Sequence, residues 1–128
     1  MLFRPLVYLQ VSPGTICAEW VGEAATATVA CAALSHPRTL MGDFVAVEQA
    51  MREALAQLGF GPWYRRSPVT LTHLLPAVAG GYTNVELRAF REAAMGAGSA
   101  QAFLLADHPP LSGADRAKVQ QALGKAVL

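Results

Sequence analysis

Apolar and polar positions follow two rhythms along this chain. From Leu6 to Val11, Ile16 to Val21 and Ala25 to Ala33 the residues are apolar and partly β-branched, and Ser12-Pro13-Gly14 and Gly22-Glu23 separate the runs. Short apolar runs bounded by turn residues predict three consecutive strands joined by tight turns. After the loop Ser35-His36-Pro37-Arg38-Thr39 the rhythm changes. Phe44, Val47, Met51, Leu55 and Leu58 recur at three- and four-residue spacing behind Asp43, which predicts a capped helix that Gly59 ends and Pro62 keeps from resuming. Val69 to Leu75 predicts a fourth strand, apolar or β-branched on both faces as a strand buried on both sides must be.

The segment TNVELRAFREAAMGAG, residues 83–98, predicts a second helix. Val85, Ala89, Phe90, Ala93 and Ala94 form its apolar stripe, Asn84, Arg88, Arg91 and Glu92 fall opposite, and Gly96-Ala97-Gly98 stops it. Ala102 to Ala106 predicts a short fifth strand. A last helix is expected with Ser112 as its cap, Asp115 as the capping-box partner, and Val119, Ala122, Leu123, Ala126 and Val127 on its buried side. The resulting order, βββαβαβα, describes three meandering strands followed by two crossover units. It predicts an α/β protein with a five-stranded mixed sheet and helices on its faces, the arrangement of the ribonuclease-H-like (actin-like) fold. At 128 residues the chain fits one such domain, residues 1–128.

Composition sharpens this picture in two ways. The chain is 53% hydrophobic and only 15% charged, where about a quarter charged is usual, so apolar surface is expected to be hidden by a partner, most economically a second copy in a homodimer. The net charge is +1, and the eight arginines and two lysines are scattered except for Arg65-Arg66, which argues against nucleic acid. No apolar run is long enough to span a bilayer, and the start lacks a cleavage pattern, so the protein is expected in the cytoplasm. Cys17 and Cys31 then read as reduced thiols.

Few residues carry chemistry. Thr83-Asn84-Val85-Glu86 has the spacing of a capping box, in which the Thr83 hydroxyl accepts from the Glu86 amide and the Glu86 carboxylate reaches back to the Thr83 amide. Gly14 and Thr15 in the first turn could cradle a phosphate through backbone amides or simply turn a hairpin. His73 lies inside a strand, without a nucleophile motif beside it. His36 and His108 flank prolines, and no histidine has a carboxylate at metal-ligand spacing, so no metal site is expected. Trp63-Tyr64-Arg65-Arg66 mixes aromatic and cationic groups as contact patches do.

Three stretches resemble the bacterial actin homologue MreB, the rod shape-determining family. GDFVAVEQAM resembles its first long helix, TNVELRAFREAAMGAG with QAFLL resembles its most recognisable helix-turn-strand, and VSPGTICAEW stands where it has its first phosphate loop. The resemblance implies the core of domain I of an actin-like protein. It also implies ATP and magnesium as ligands, filament formation and a role in cell shape, and it places Glu86 on the family's water-activating glutamate. Where the family has an aspartate two residues before Gly-Thr to hold the magnesium-bound water, this chain has Ser12. The short loop Ser35–Gly42 stands where the family inserts a subdomain, and the family's second domain is not expected after the last helix. A neutral hydroxyl does not replace a carboxylate at a metal site. The expectation is therefore a non-enzymatic actin-like interaction or scaffold module with a degenerate ATPase site and no required cofactor. The competing expectation is a nucleotide-binding protein or weak ATPase that completes its site by dimerising.

Overall fold

A computed structural model describes residues 4–60 and 67–126. The elements are β1 (Leu6–Ser12), β2 (Thr15–Trp20), β3 (Thr26–Ala30), α1 (Phe44–Gln57), β4 (Val69–Leu74), α2 (Asn84–Gly96), β5 (Gln101–Leu105) and α3 (Arg116–Leu123), with a 3₁₀ turn at Ala32–Ser35. The expected five-stranded mixed sheet is present. Its spatial order is β3-β2-β1-β4-β5. β2 pairs antiparallel with both β1 and β3, and β4 and β5 extend the sheet in parallel from β1. Only β2 therefore runs against the other four strands, and the carboxyl ends of β1, β3, β4 and β5 share one edge.

Alternation along the strands sorts side chains into two layers. Val7, Leu9 and Val11 of β1, Ile16 and Ala18 of β2, Ala27 and Val29 of β3, Leu74 of β4, and Ala102 and Leu104 of β5 face α1 and α2. Val47, Met51, Ala54 and Leu55 of α1 and Phe90, Ala93 and Ala94 of α2 close that layer. On the opposite face Tyr8, Val21, Leu71 and Leu105 meet Val119 and Ala122 of α3. β4 is buried on both faces as its sequence predicts, with Thr70 to Leu74 all inaccessible.

The helix ends follow from local chemistry. Asp43 Oδ1 accepts from the Ala46 amide at 3.2 Å and starts α1. Gly59 and Gly98, at φ of 105° and 120°, take the left-handed conformation that lets the chain leave α1 and α2. Arg52 reaches across from α1 and donates to the Gly96 carbonyl at 2.7 Å, satisfying an acceptor that the end of α2 would otherwise leave open.

Four expectations need correction. The third strand stops at Ala30, because the small residues after Cys31 form the 3₁₀ turn, and a run of alanines fits either conformation. α3 starts at Arg116 with Asp115 as its cap, accepting from Lys118 N at 3.1 Å, whereas Ser112 Oγ accepts from Ala114 N and closes only a local turn. Phe44 and Val85 belong to the surface, at 38% and 78% exposure, and both occupy the first turn of a helix. Leu87 takes the place in the packed layer that the stripe assigned to Val85. Pro62, the Trp63-Tyr64-Arg65-Arg66 patch and Val127 lie outside the described residues.

Candidate functional site

In open α/β sheets, the crevice at the carboxyl ends of the parallel strands is the default place for a ligand. Here that edge carries the Ser12–Thr15 turn after β1, the 3₁₀ turn and Ser35–Asp43 loop after β3, the 75–83 loop after β4, and Asp107 after β5. The three residues of the sequence-predicted site all lie along it. Gly14 has φ of 78°, and its carbonyl accepts from Cys31 N at 2.8 Å. A Cβ at Gly14 would sit 3.0 Å from Ser35 Oγ, so glycine meets both a backbone and a space requirement there. Thr15 pairs with Ser12 across the turn and with Ala30 on β3, and Ser12 Oγ lies 3.5 Å from the Thr15 carbonyl.

Glu86 forms the capping box that its spacing predicts. Its amide donates to Thr83 Oγ1 at 3.1 Å, and its Oε1 accepts from Thr83 N at 3.0 Å and from the Thr83 hydroxyl at 3.1 Å. The other oxygen, Oε2, accepts from Thr39 Oγ1 at 3.4 Å, and Thr39 Oγ1 in turn accepts from Met41 N at 3.3 Å. Glu86 thus ties the start of α2 to the loop that leads into α1. Both carboxylate oxygens have partners within the fold.

Thr39 also lines a shallow cleft of about 290 Å³ with Pro13, Ser35, His36, Arg38, Pro76 and Val78. The Gly14 turn and Glu86 are therefore brought to the same edge, with Thr39 and the cleft between them. Tyr82 adds a polar group beside Glu86: its hydroxyl donates to the Pro76 carbonyl. Burial first, then the negative charges of Glu86 and Asp107, push the Tyr82 phenol above its usual range. Asp107 holds φ of 54°, a left-handed conformation that is uncommon for a residue other than glycine. Among the described residues, no three His, Cys, Asp or Glu side chains gather as a metal-ligand set.

Sequence reasoning missed Thr39, Tyr82 and Asp107. The available signal was positional, since each lies in a segment that follows a strand's carboxyl end or precedes a helix cap. His73 is placed elsewhere, on the α3 face of β4, fully buried, with Tyr8 OH at 2.7 Å from Nδ1 and the His108 carbonyl at 2.9 Å from Nε2. His36 stays in its loop, where Nδ1 accepts from Arg38 N at 3.1 Å. Cys17 and Cys31 are free thiols, Cys31 buried and Cys17 only half-buried. No helix among the described residues is long and apolar enough to cross a membrane. Compared with known protein families and with curated proteins, the sequence matches none of either.

Proposed function

We propose that this chain is a cytoplasmic, non-enzymatic interaction or scaffold module of the ribonuclease-H-like, actin-like kind, related to MreB and through it to bacterial cell shape. Support for the fold comes from the spatial order β3-β2-β1-β4-β5, with β2 alone reversed, α1 and α2 on one face and α3 on the other. The observation that carries the functional reading is the engagement of Glu86. A carboxylate that closes a helix cap and holds a neighbouring loop has a task that requires no nucleotide. Here Oε1 closes the capping box and Oε2 holds Thr39. The partner, a second copy or another protein, docks at the strand-carboxyl edge. That is where the exposed apolar side chains Phe44, Val45, Val78 and Val85 occur, at the first turns of α1 and α2 and in the loop after β4.

The second reading, a nucleotide-binding protein or weak ATPase completed by dimerisation, is favoured by one observation: the cleft beside Pro13 and Thr39 lies where open α/β sheets bind ligands. Thermal unfolding with and without Mg-ATP separates the two, because a ligand bound only by the folded state raises its stability with occupancy. The scaffold reading expects an unchanged melting temperature, and ATP turnover by wild type and Glu86→Gln alike at the level of a protein-free control. Stabilisation by Mg-ATP, with turnover abolished in Glu86→Gln, would replace it by the second reading. Sedimentation at concentrations well above micromolar tests self-association, and a single species of monomer mass there rules out the homodimer.

A further inference from the structure

The segment from Ala106 to Gly113 crosses the α3 face of the sheet from the end of β5 toward the β2–β3 turn. Its one apolar anchor is Leu111, which packs half-buried against the cluster of Tyr8 and Leu71, and the rest of its attachment is polar. Pro109, Pro110 and Ser112 are exposed, Leu111 is half-buried, and only Gly113 is buried. What holds it are hydrogen bonds to the strands beneath. Leu111 N donates to Tyr8 OH at 3.0 Å, Gln10 Nε2 to the Leu111 carbonyl at 3.1 Å, and Gly113 N to Glu19 Oε2 at 2.9 Å. Gly22 N donates to the Gly113 carbonyl at 3.1 Å, and the His108 carbonyl lies 2.9 Å from His73 Nε2. A segment fastened by hydrogen bonds and a single half-buried apolar side chain belongs to the parts of a fold that open locally.

The proton positions in this network follow from the groups at its two ends. A backbone amide can only donate and a carbonyl can only accept. Leu111 N–H therefore donates to the Tyr8 oxygen, and the His108 carbonyl accepts from a hydrogen on His73 Nε2. The remaining link, Tyr8 OH to His73 Nδ1 at 2.7 Å, is satisfied when the phenol donates and Nδ1 accepts. That arrangement requires a neutral imidazole. A proton on Nδ1 would make the phenol accept there instead of donate and deprive its own hydrogen of the acceptor it had, inside a pocket where both side chains are wholly inaccessible.

We infer that residues 106–113 form a proton-operated strap, closed on the sheet while His73 is neutral and released when His73 takes up a second proton. Release lets the imidazolium reach water and frees the Tyr8 hydroxyl to find another acceptor. It also loosens α3, whose fully buried side chains on this face are only Val119 and Ala122.

The ionisable groups around His73 do not supply a counter-charge. β1 contributes Tyr8, with Glu19 of β2 beyond it where it acts on the phenol. The strap contributes Asp107, whose charge acts on the Tyr82 phenol, and the His108 ring, 5.9 Å away, whose own positive charge opposes a second one. Asp115 and Lys118 from the start of α3 line a second cleft together with His108 and Leu111, and β4 and β5 bring no other ionisable group. Burial holds His73 below its usual value of 6.5 against the upward pull of its bond to the His108 carbonyl, and the His108 charge adds a smaller downward push. The sign follows directly. The closed strap is fully favoured above 6.5, the value His73 has when released, and loses that advantage as the pH falls below it.

Amide hydrogen exchange and imidazole ¹⁵N NMR on the whole chain, from about pH 7.5 to about pH 5, test the proposal. Near neutrality His73 is expected as the neutral tautomer with hydrogen on Nε2. After correction for intrinsic exchange, protection of the Leu111 and Gly113 amides is expected to fall by up to about tenfold per pH unit below the released value. Amides of α1 and α2 should keep their protection. His108→Ala, which removes a ring but keeps the backbone carbonyl, should leave the response in place, and His73→Gln should abolish it. The proposal is overturned if the strap stays equally protected throughout, if α1 and α2 open in parallel with it, or if the response disappears in His108→Ala. Should His73→Gln fail to fold, the wild-type NMR titration decides alone. An imidazolium at His73 under a protected strap refutes the switch.

Discussion

On the face covered by α1 and α2, β4 presents Thr70, Thr72 and Leu74 to a layer made almost wholly of aliphatic side chains, with Phe90 and Met51 at zero exposure near its centre. On the other face the same strand presents Leu71 and His73, and the covering is one short helix and a strap held by polar bonds. Burial alone therefore does not describe how the two layers are held. The first layer depends on filled volume, which is non-directional and indifferent to pH. The second joins a smaller apolar cluster to directed hydrogen bonds, and those bonds fail abruptly when one partner changes protonation or is removed.

The largest expected effect tests the volume-dependent layer. Phe90→Ala should destabilise by about 3–5 kcal/mol, from lost transfer energy and the cavity left between α2 and the sheet. Urea unfolding monitored by circular dichroism would measure it, with the same loss at neutral and mildly acid pH. A loss below about 1 kcal/mol would mean that the layer collapses around the gap, and the contrast between the faces would weaken accordingly.

Tyr8→Phe tests the other face while keeping the ring's volume. Removing one hydroxyl leaves the buried His73 Nδ1 and the part-buried Leu111 N–H without their partner, so a loss of about 1–3 kcal/mol is expected at neutral pH despite the conservative shape. Wild-type stability should also decline on acidification. Because His73 is held below its usual 6.5, the unfolded chain binds the extra proton first, and the slope approaches about 1.4 kcal/mol per pH unit between the two values. A neutral Tyr8→Phe variant would show that water or a rearranged Gln10 replaces the hydroxyl, and that the relay is not what fastens this face.

Thr83→Ala probes the candidate edge, where one residue serves both helix and loop. Losing the cap should cost about 1 kcal/mol, and freeing Glu86 Oε1 should loosen its contact with Thr39. Equilibrium unfolding measures the first part. Faster amide exchange at Glu86 and Met41 reports the second, and if only α2 responds, Glu86 does not couple the two segments.

Legibility in the sequence divided along similar lines. The strand runs, the Asp43 cap and the Thr83–Glu86 box were readable because each depends on residues within a few positions of one another. Ser112 and Asp115 are both cap-forming types three residues apart, and only the backbone path decides that Asp115 starts α3. The relay was not readable at all. Tyr8 and His73 are 65 positions apart, and parallel pairing of β1 with β4 sets them on one face, a long-range fact that no local pattern encodes. The candidate edge lies between these cases: Glu86 and the Gly14 turn stand out locally, while Thr39, Tyr82 and Asp107 join them only through the fold.

The smallest expected effect comes from the residue at which periodicity and structure disagree. Helical spacing puts Val85 on the same stripe as Ala89 and Phe90, yet it is 78% exposed, and Leu87 packs against the main layer instead. An apolar side chain already in water has little transfer energy to lose, so Val85→Ser should change stability by no more than about 0.5 kcal/mol. Leu87→Ala, two residues on, should cost distinctly more, since Leu87 packs against the main layer. The Val85 variant also reports on the proposed docking edge. If Phe44, Val45, Val78 and Val85 form a shared contact surface, Val85→Ser should leave the isolated fold intact while lowering the mass average seen in sedimentation. Unchanged association together with unchanged stability would remove Val85 from that surface. A stability loss comparable to that of Leu87→Ala would show instead that α2 enters the sheet one turn earlier than described.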